Sequence, residues 1–240
     1  MRKIIKNVNR IENIVQITIA DERWYQIDNE FFPSVTWISG FYPKGIAFYK
    51  WLAERSWNEA EAIKSAAGDK GSKIHSAIVN LIDGLEVKMD SQFENPTTGL
   101  MEELSLEEYE AILSFKSFCD ELKPKFIDRE FVVVSDKYQY AGTGDILCEI
   151  NNKIHLIDIK SGQSIWPEYE LQISAYAKAL QRSIDKMSIL QVGYRLNKKK
   201  WKLTEIDDKF DLFLSARNIW KNECDKISPL RKDLPLAIKL

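Results

Sequence analysis

Residues 140–176 read YAGTGDILCEINNKIHLIDIKSGQSIWPEYELQISAY, and the fold turns on how this stretch is folded back on itself. Asn151 and Asn152 stand between two apolar-rich runs, and asparagine tolerates the positive φ that a two-residue hairpin turn requires. Residues 144–150 and 153–159 are therefore expected to pair antiparallel. Counting outward from Ile150 opposite Lys153 sets Cys148 against His155, Leu147 against Leu156 and Asp145 against Asp158. Directly opposed side chains have Cβ atoms roughly 4.5–5.5 Å apart. Two carboxylates that close repel unless one takes a proton or a cation lies between them, and a divalent metal is the simplest resolution.

Side chains alternate along a strand, so Lys160 is expected on the face of Asp158, with Ile157 and Ile159 on the other. Ser161-Gly162-Gln163 then breaks the strand, and Pro167 suits the first position of a helix. In that helix Glu168, Gln172 and Tyr176 share one face at i, i+4 and i+8, while Leu171, Ala175 and Ala179 form an apolar stripe able to pack on the sheet.

The chain has 240 residues, 45% of them hydrophobic and 11% aromatic, enough to bury a full core as a single domain with elaborations. A formal charge of −2 does not announce a nucleic-acid binder, so phosphate affinity has to come from local clusters or bound metal. Cys119, Cys148 and Cys224 stand far apart with no C-x-x-C spacing, which indicates neither a zinc site nor a disulfide framework and fits a reducing compartment. No run approaches about 18 apolar residues and the opening MRKIIKNVNR leads into no apolar signal core; an intracellular protein with no membrane partner is expected.

Residues 1–30 read as an amino-terminal hairpin elaboration, with residues 11–19 and 23–27 as strands flanking Ala20-Asp21-Glu22. Residues 31–125 read as mainly helical, after an extended FFPSVTW segment at 31–37. A helix over 46–55, a second capped by Asn58 and closed by Gly68, and a third capped by Asp69 follow from the caps and the apolar spacing. The third carries His75 beside the stripe Ile74, Ile78, Leu81 and Ile82; on its own such a histidine is more often a packed bystander than a ligand. Residues 84–99 read as a loop, and residues 105–122 as an amphipathic helix with a Ser105/Glu108 capping box.

Residues 126–226 read as a sheet core closed by a helix over 207–226. Val132–Val134 suit a buried central strand begun by Glu130, and residues 186–194 a further buried strand. The basic run Lys198, Lys199, Lys200, Trp201 and Lys202 reads either as a solvated hairpin tip or as a surface that tracks a nucleic-acid backbone with Trp201 stacking on bases. Trp37, Phe41, Tyr42 and Trp51 fit either base stacking or the core, and residues 227–240 read as a tail.

An Asp after a Gly-rich turn (residues 142–145), then Asp158-Ile159-Lys160 at a strand end, then Gln172 and Tyr176 on the next helix resembles the core of the PD-(D/E)XK nuclease superfamily, RecB-like branch. Residues 33–36 (PSVT), Trp51-Leu52 and Gly71, Ser72 and His75 are similar to the helical part of exonucleases related to mitochondrial genome maintenance exonuclease and their phage counterparts. The resemblance implies an α/β fold, α-β-β-β-α-β in core order around a mixed sheet, with a helical amino-terminal part. It implies Asp145, Asp158 and Lys160 as catalytic residues and Mg²⁺ or Mn²⁺ held by His75, Asp145, Asp158 and the Ile159 backbone carbonyl. It also implies Glu130, Gln172 and Tyr176 in support and Ser34, Thr36 and Lys73 near DNA. Three cysteines are too few for the iron–sulfur cluster of some RecB-like relatives.

Such a constellation fits phosphodiester hydrolysis: the ion polarises water and clamps the phosphate, and Lys160 orients the nucleophile and offsets developing charge. The expected activity is a metal-dependent DNA exonuclease acting at single-stranded ends. A structure-selective endonuclease, or a nucleic-acid-binding module that cuts nothing, are the alternatives.

Overall fold

The computed structural model describes residues 14–19, 22–28, 30–180, 182–193, 200–224, 227 and 229. Its centre is a five-stranded mixed sheet in the order β10-β9-β8-β7-β6, formed by β6 (Lys125–Ser135), β7 (Tyr140–Ile150), β8 (Lys153–Lys160), β9 (Lys186–Val192) and β10 (Trp201–Ile206). The β7–β8 hairpin turns at Asn151 and Asn152, with φ of 51° and 59°, as a two-residue turn between right-twisted strands demands. Its register runs Ile150↔Lys153, Cys148↔His155, Leu147↔Leu156 and Ile146↔Ile157. β8 and β9 are parallel, so the chain between them must cross over, and it does so through α5 (Pro167–Ala179).

Two helical layers cover the sheet. On one face α1 (Val35–Ser39), α5 and α6 (Phe210–Cys224) share a core with Leu147, Leu156, Leu171, Ala175 and Ile189. On the other, α3 (Trp57–Ile82) and α4 (Leu106–Leu122) meet Ile146, Cys148, Ile157, Ile159 and Leu190 through Ile74, Ile78, Phe115 and Phe118. Alternation along β7 and β8 feeds the two cores, each buried aliphatic side chain contributing about 1.5–3 kcal/mol before conformational entropy is subtracted. The succession α4, β6, β7, β8, α5, β9 follows the expected α-β-β-β-α-β order.

Several elements differ from expectation. Residues 57–82 form one 26-residue helix, capped by the Ser56 side chain, with no break at Gly68 or Asp69. A glycine stops a helix by adopting positive φ; among the described glycines only Gly84, Gly99 and Gly193 do so, and Gly84 follows the true end of α3. The extended 31–37 segment is cut short: β3 (Glu30–Pro33) ends where the Ser34 hydroxyl caps α1, accepting from the Trp37 N–H at 3.0 Å. β3 joins β1 (Ile14–Ile19) and β2 (Glu22–Ile27) in a three-stranded sheet, so Glu22 is strand rather than turn. The 84–99 stretch contains β4 (Gln92–Glu94), paired with β5 (Met101–Glu103). The helix α2 (Ile46–Ala53) buries none of its residues.

β6 is an edge strand, not a central one; its Val132 is buried because Tyr25, Ile27 and Phe32 of the amino-terminal sheet pack there. Glu130 lies in the middle of β6 rather than at its start. The remaining turn at Ala20-Asp21, the segment 194–199 with Lys198 and Lys199, and residues 231–240 of the tail lie outside the described residues. No described helix is long and apolar enough to cross a membrane.

Candidate active site

The backbone ladder between β7 and β8 continues to Ile146↔Ile157 and stops one step short of Asp145 and Asp158. There the Asp145 side chain takes over, its Oδ2 accepting the backbone N–H of Ile159 at 2.7 Å. By alternation both aspartates continue the face that carries Leu147 and Leu156. Asp158 is almost fully buried and Asp145 half-buried. Lys160 reaches back along its own strand, its Nζ 2.8 Å from Asp158 Oδ2.

His75 arrives from α3 in the opposite helical layer. Its Nε2 donates to the Ile159 carbonyl at 3.1 Å, and its Nδ1 lies 3.6 Å from Asp145 Oδ1. A neutral imidazole with the proton on Nε2 leaves the Nδ1 lone pair turned toward the Asp145 carboxylate. The Ile159 carbonyl thus orients the histidine, and keeps a second lone pair of its own.

The electrostatics follow from burial. Burial is the largest influence on Asp158 and raises its carboxyl from 3.8 to about 6, with the Asp145 charge adding to it and Lys160 opposing it. Burial by itself would lower the Lys160 ammonium, but Asp158 and Asp145 more than offset this and hold it above its ordinary value. Two carboxylates therefore share one ammonium, with an imidazole able to add a neutral donor.

Two carboxylates, an imidazole and a carbonyl are a hard, oxygen-rich donor set of the kind that suits Mg²⁺ or Mn²⁺. Asp158 Oδ2 is paired with the Lys160 ammonium at 2.8 Å, and a carboxylate engaged by one cation keeps further lone pairs. Among the described residues, no three His, Cys, Asp or Glu side chains already stand close enough together to enclose an ion. The donor types of Asp145, Asp158, His75 and the Ile159 carbonyl fit such an ion.

The supporting residues are placed unevenly. Tyr176 and Gln172 are buried on α5, one turn apart. The Tyr176 ring lies so close over Gly142 that a β-carbon there would collide with it, and Thr36, at the start of α1, is exposed. Gly144 similarly leaves room for the Phe131 ring, to which a β-carbon would approach within 2.6 Å. These glycines serve ring packing beneath the site, not phosphate contact. Glu130, with φ of 42°, falls between the pairs Arg129↔Ile146 and Phe131↔Gly144, at the register position across from Asp145.

Three residues expected near DNA are turned inward. Ser34 is buried as the α1 cap. Lys73 is buried between Glu108 at 3.0 Å and Glu102 at 3.1 Å, because a charge on the inner face of α3 needs counter-charges. Trp201 is buried edge-on against Phe118 with ring centroids 5.4 Å apart, so it packs the core rather than a base. Trp37 likewise belongs to an aromatic cluster with Trp24 and Trp220. Lys200 is exposed and lies 3.3 Å from Glu110.

One neighbour was not singled out in the sequence. Tyr169, in the first turn of α5, presents its ring to Lys160, with Nζ 4.6 Å from the ring centroid. Its signal was a tyrosine one turn ahead of Gln172 and just after Pro167, hidden because it stands off the Glu168–Gln172–Tyr176 face.

No family model matches the chain, and no curated protein matches it. Among solved structures, an alkaline exonuclease from Laribacter hongkongensis (LHK-Exo) is similar at 12% identity and a TM-score of 0.41, over 80% of this chain and 87% of that one. The same enzyme in complex with dAMP is similar at 12% identity and a TM-score of 0.32, over 68% of this chain and 97% of the other.

Proposed function

We propose that this chain is a metal-dependent DNA exonuclease of the PD-(D/E)XK superfamily, RecB-like branch, acting at single-stranded ends. The observation that supports the reading is the pairing of Lys160 with Asp158 and of His75 with Asp145 at the adjoining ends of β7 and β8, where two carboxylates outnumber the single ammonium. The strand preference and the exonuclease habit come from the resemblance of residues 33–36, Trp51-Leu52 and Gly71, Ser72 and His75 to the exonuclease subgroup.

When bound by Asp145, Asp158, His75 and the Ile159 carbonyl, Mg²⁺ or Mn²⁺ would supply a polarised water and neutralise charge on the phosphate. The chain's own groups do the rest. Asp158 in its ionised form pins the Lys160 ammonium, and Lys160 orients the attacking water and offsets the charge that develops on the phosphate oxygens. The Ile159 N–H fixes the rotamer of Asp145, and the Ile159 carbonyl fixes the tautomer of His75. Gln172 and Tyr176 hold α5 against the sheet that carries both aspartates.

The test is incubation of 5′- and 3′-labelled single- and double-stranded oligonucleotides, and of covalently closed circles, with Mg²⁺ or Mn²⁺. Linear single strands are degraded, circles are spared, and Asp158→Ala or Lys160→Ala abolishes the activity without unfolding the chain. Cleavage of circles or of flaps points to the structure-selective endonuclease, and DNA binding with no turnover to the non-catalytic module. Equal activity in the variants removes the mechanism.

A further inference from the structure

We infer that Tyr169 is the positioning residue for Lys160: its ring is the wall that keeps the ammonium over Asp158 instead of letting it swing out to solvent. The inference rests on the nuclease reading of the site and assigns a role to a residue outside the Asp145, Asp158, Lys160 and His75 set.

Lysine has a four-carbon stem with many rotamers, and a side chain at the end of a strand has few neighbours to choose among them. Lys160 is the last residue of β8, and residues 161–166 lead away from it to α5. Asp158, two residues back on the same face, supplies attraction at 2.8 Å but from one direction only. Tyr169 supplies the second direction, with its ring centroid 4.6 Å from Nζ, well inside the range of about 6 Å at which a cation is drawn to an aromatic face. The ring, with Asp158 in contact and the Asp145 charge beyond it, defines where the ammonium sits.

The ring is itself held. Pro167 starts α5, the Tyr169 N–H donates to the Trp166 carbonyl at 2.9 Å, and Tyr169 packs, half-buried, against the core under α5. Glu168, its neighbour in the chain and buried, pairs with Lys44, which pins the same first turn. The phenol stays neutral because burial pushes it above its ordinary value, so the ring face remains the contact offered to Lys160.

The variants Tyr169→Phe and Tyr169→Leu separate ring from hydroxyl and are read in two ways. In the first, protein carrying ¹³C-methyl groups from reductive methylation shows the Lys160 resonance, assigned by its loss in Lys160→Arg. The ring current of Tyr169 shifts that signal upfield; Tyr169→Phe keeps the shift and Tyr169→Leu returns it to the position of the other lysines. In the second, Tyr169→Phe cleaves with kcat within about twofold of the wild type. Tyr169→Leu loses roughly 2–30-fold in kcat at unchanged KM, the range a cation–aromatic contact is worth. A Lys160 signal that does not respond to Tyr169→Leu, or equal losses of kcat in Phe and Leu variants, overturns the inference. Wild-type protein that shows the upfield signal but cleaves no DNA sinks the nuclease reading and leaves the placement of the ammonium standing.

Discussion

Asp145 Oδ2 accepts the backbone N–H of Ile159 at 2.7 Å, so one carboxylate oxygen replaces the ladder hydrogen bonding that β7 and β8 give up beyond Ile146 and Ile157. The carboxylate is thereby a structural acceptor through Oδ2, while its Oδ1 lies 3.6 Å from His75 Nδ1. These two duties come apart by substitution. Asp145→Asn keeps an acceptor for the buried Ile159 amide and is expected to retain the wild-type melting temperature closely while losing cleavage. Asp145→Ala strands that N–H and costs about 1–3 kcal/mol, read as a fall in the denaturant midpoint. If Asn and Ala destabilise equally, the hydrogen bond is not what holds the strand ends.

Asp158 gives a pH signature in the metal-free protein. Its carboxyl titrates near 6 in the fold against 3.8 outside it, so between those values the folded chain binds more protons than the unfolded one. Stability from this group is therefore lost as pH rises through the window. Asp158→Asn has no such titration, and its stability relative to wild type is expected to climb as pH rises from 4 to 7. Paired thermal melts across that range, with chelator present, check it; a constant offset contradicts it.

Lys73 is expected to be a stability residue. Removing its ammonium by Lys73→Met leaves Glu108 buried without its counter-charge, at a cost of about 3–5 kcal/mol. The double variant Lys73→Met/Glu108→Gln recovers most of the loss, while DNA affinity at a temperature where both variants are folded stays at the wild-type value. A drop in affinity without a drop in stability would return Lys73 to the DNA surface.

Gly142→Ala is expected to destabilise by about 1–3 kcal/mol, because the added carbon overlaps the Tyr176 ring. Combining it with Tyr176→Leu removes the overlap, so the two losses in stability fall short of additive in a double-mutant cycle. Full additivity would mean that the ring has room to move away.

Most of the sheet could be read from local chemistry. Two asparagines mark the β7–β8 turn, and a two-residue turn sets the register outward from it as far as Ile146 and Ile157, one step short of Asp145 and Asp158. Pro167 marked the start of α5, and the Ser105/Glu108 box the start of α4, where both reciprocal hydrogen bonds are present. What was not legible depended on contacts distant in sequence. Gly68-Asp69 carries the local marks of one helix ending and another starting, yet a single helix runs through it, with Ile74 and Ile78 packed on the sheet. Trp201 sits in a basic run that looks solvated, but Phe118 of α4, far away in the chain, buries it. Glu130 occupies a left-handed conformation inside a strand, which no local rule assigns to a glutamate. His75 could be joined to the aspartates only through resemblance, since a helix stripe does not reveal which strand end it reaches.

Asp145, Asp158 and His75 are proposed to share one divalent cation. Crystals soaked in Mn²⁺ and measured at the manganese absorption edge test it directly. A single dominant anomalous peak is expected within ligand distance of Asp145 Oδ1, an Asp158 oxygen and His75 Nδ1, and is lost in Asp158→Ala. A peak bound elsewhere, or one that survives that substitution, would contradict it.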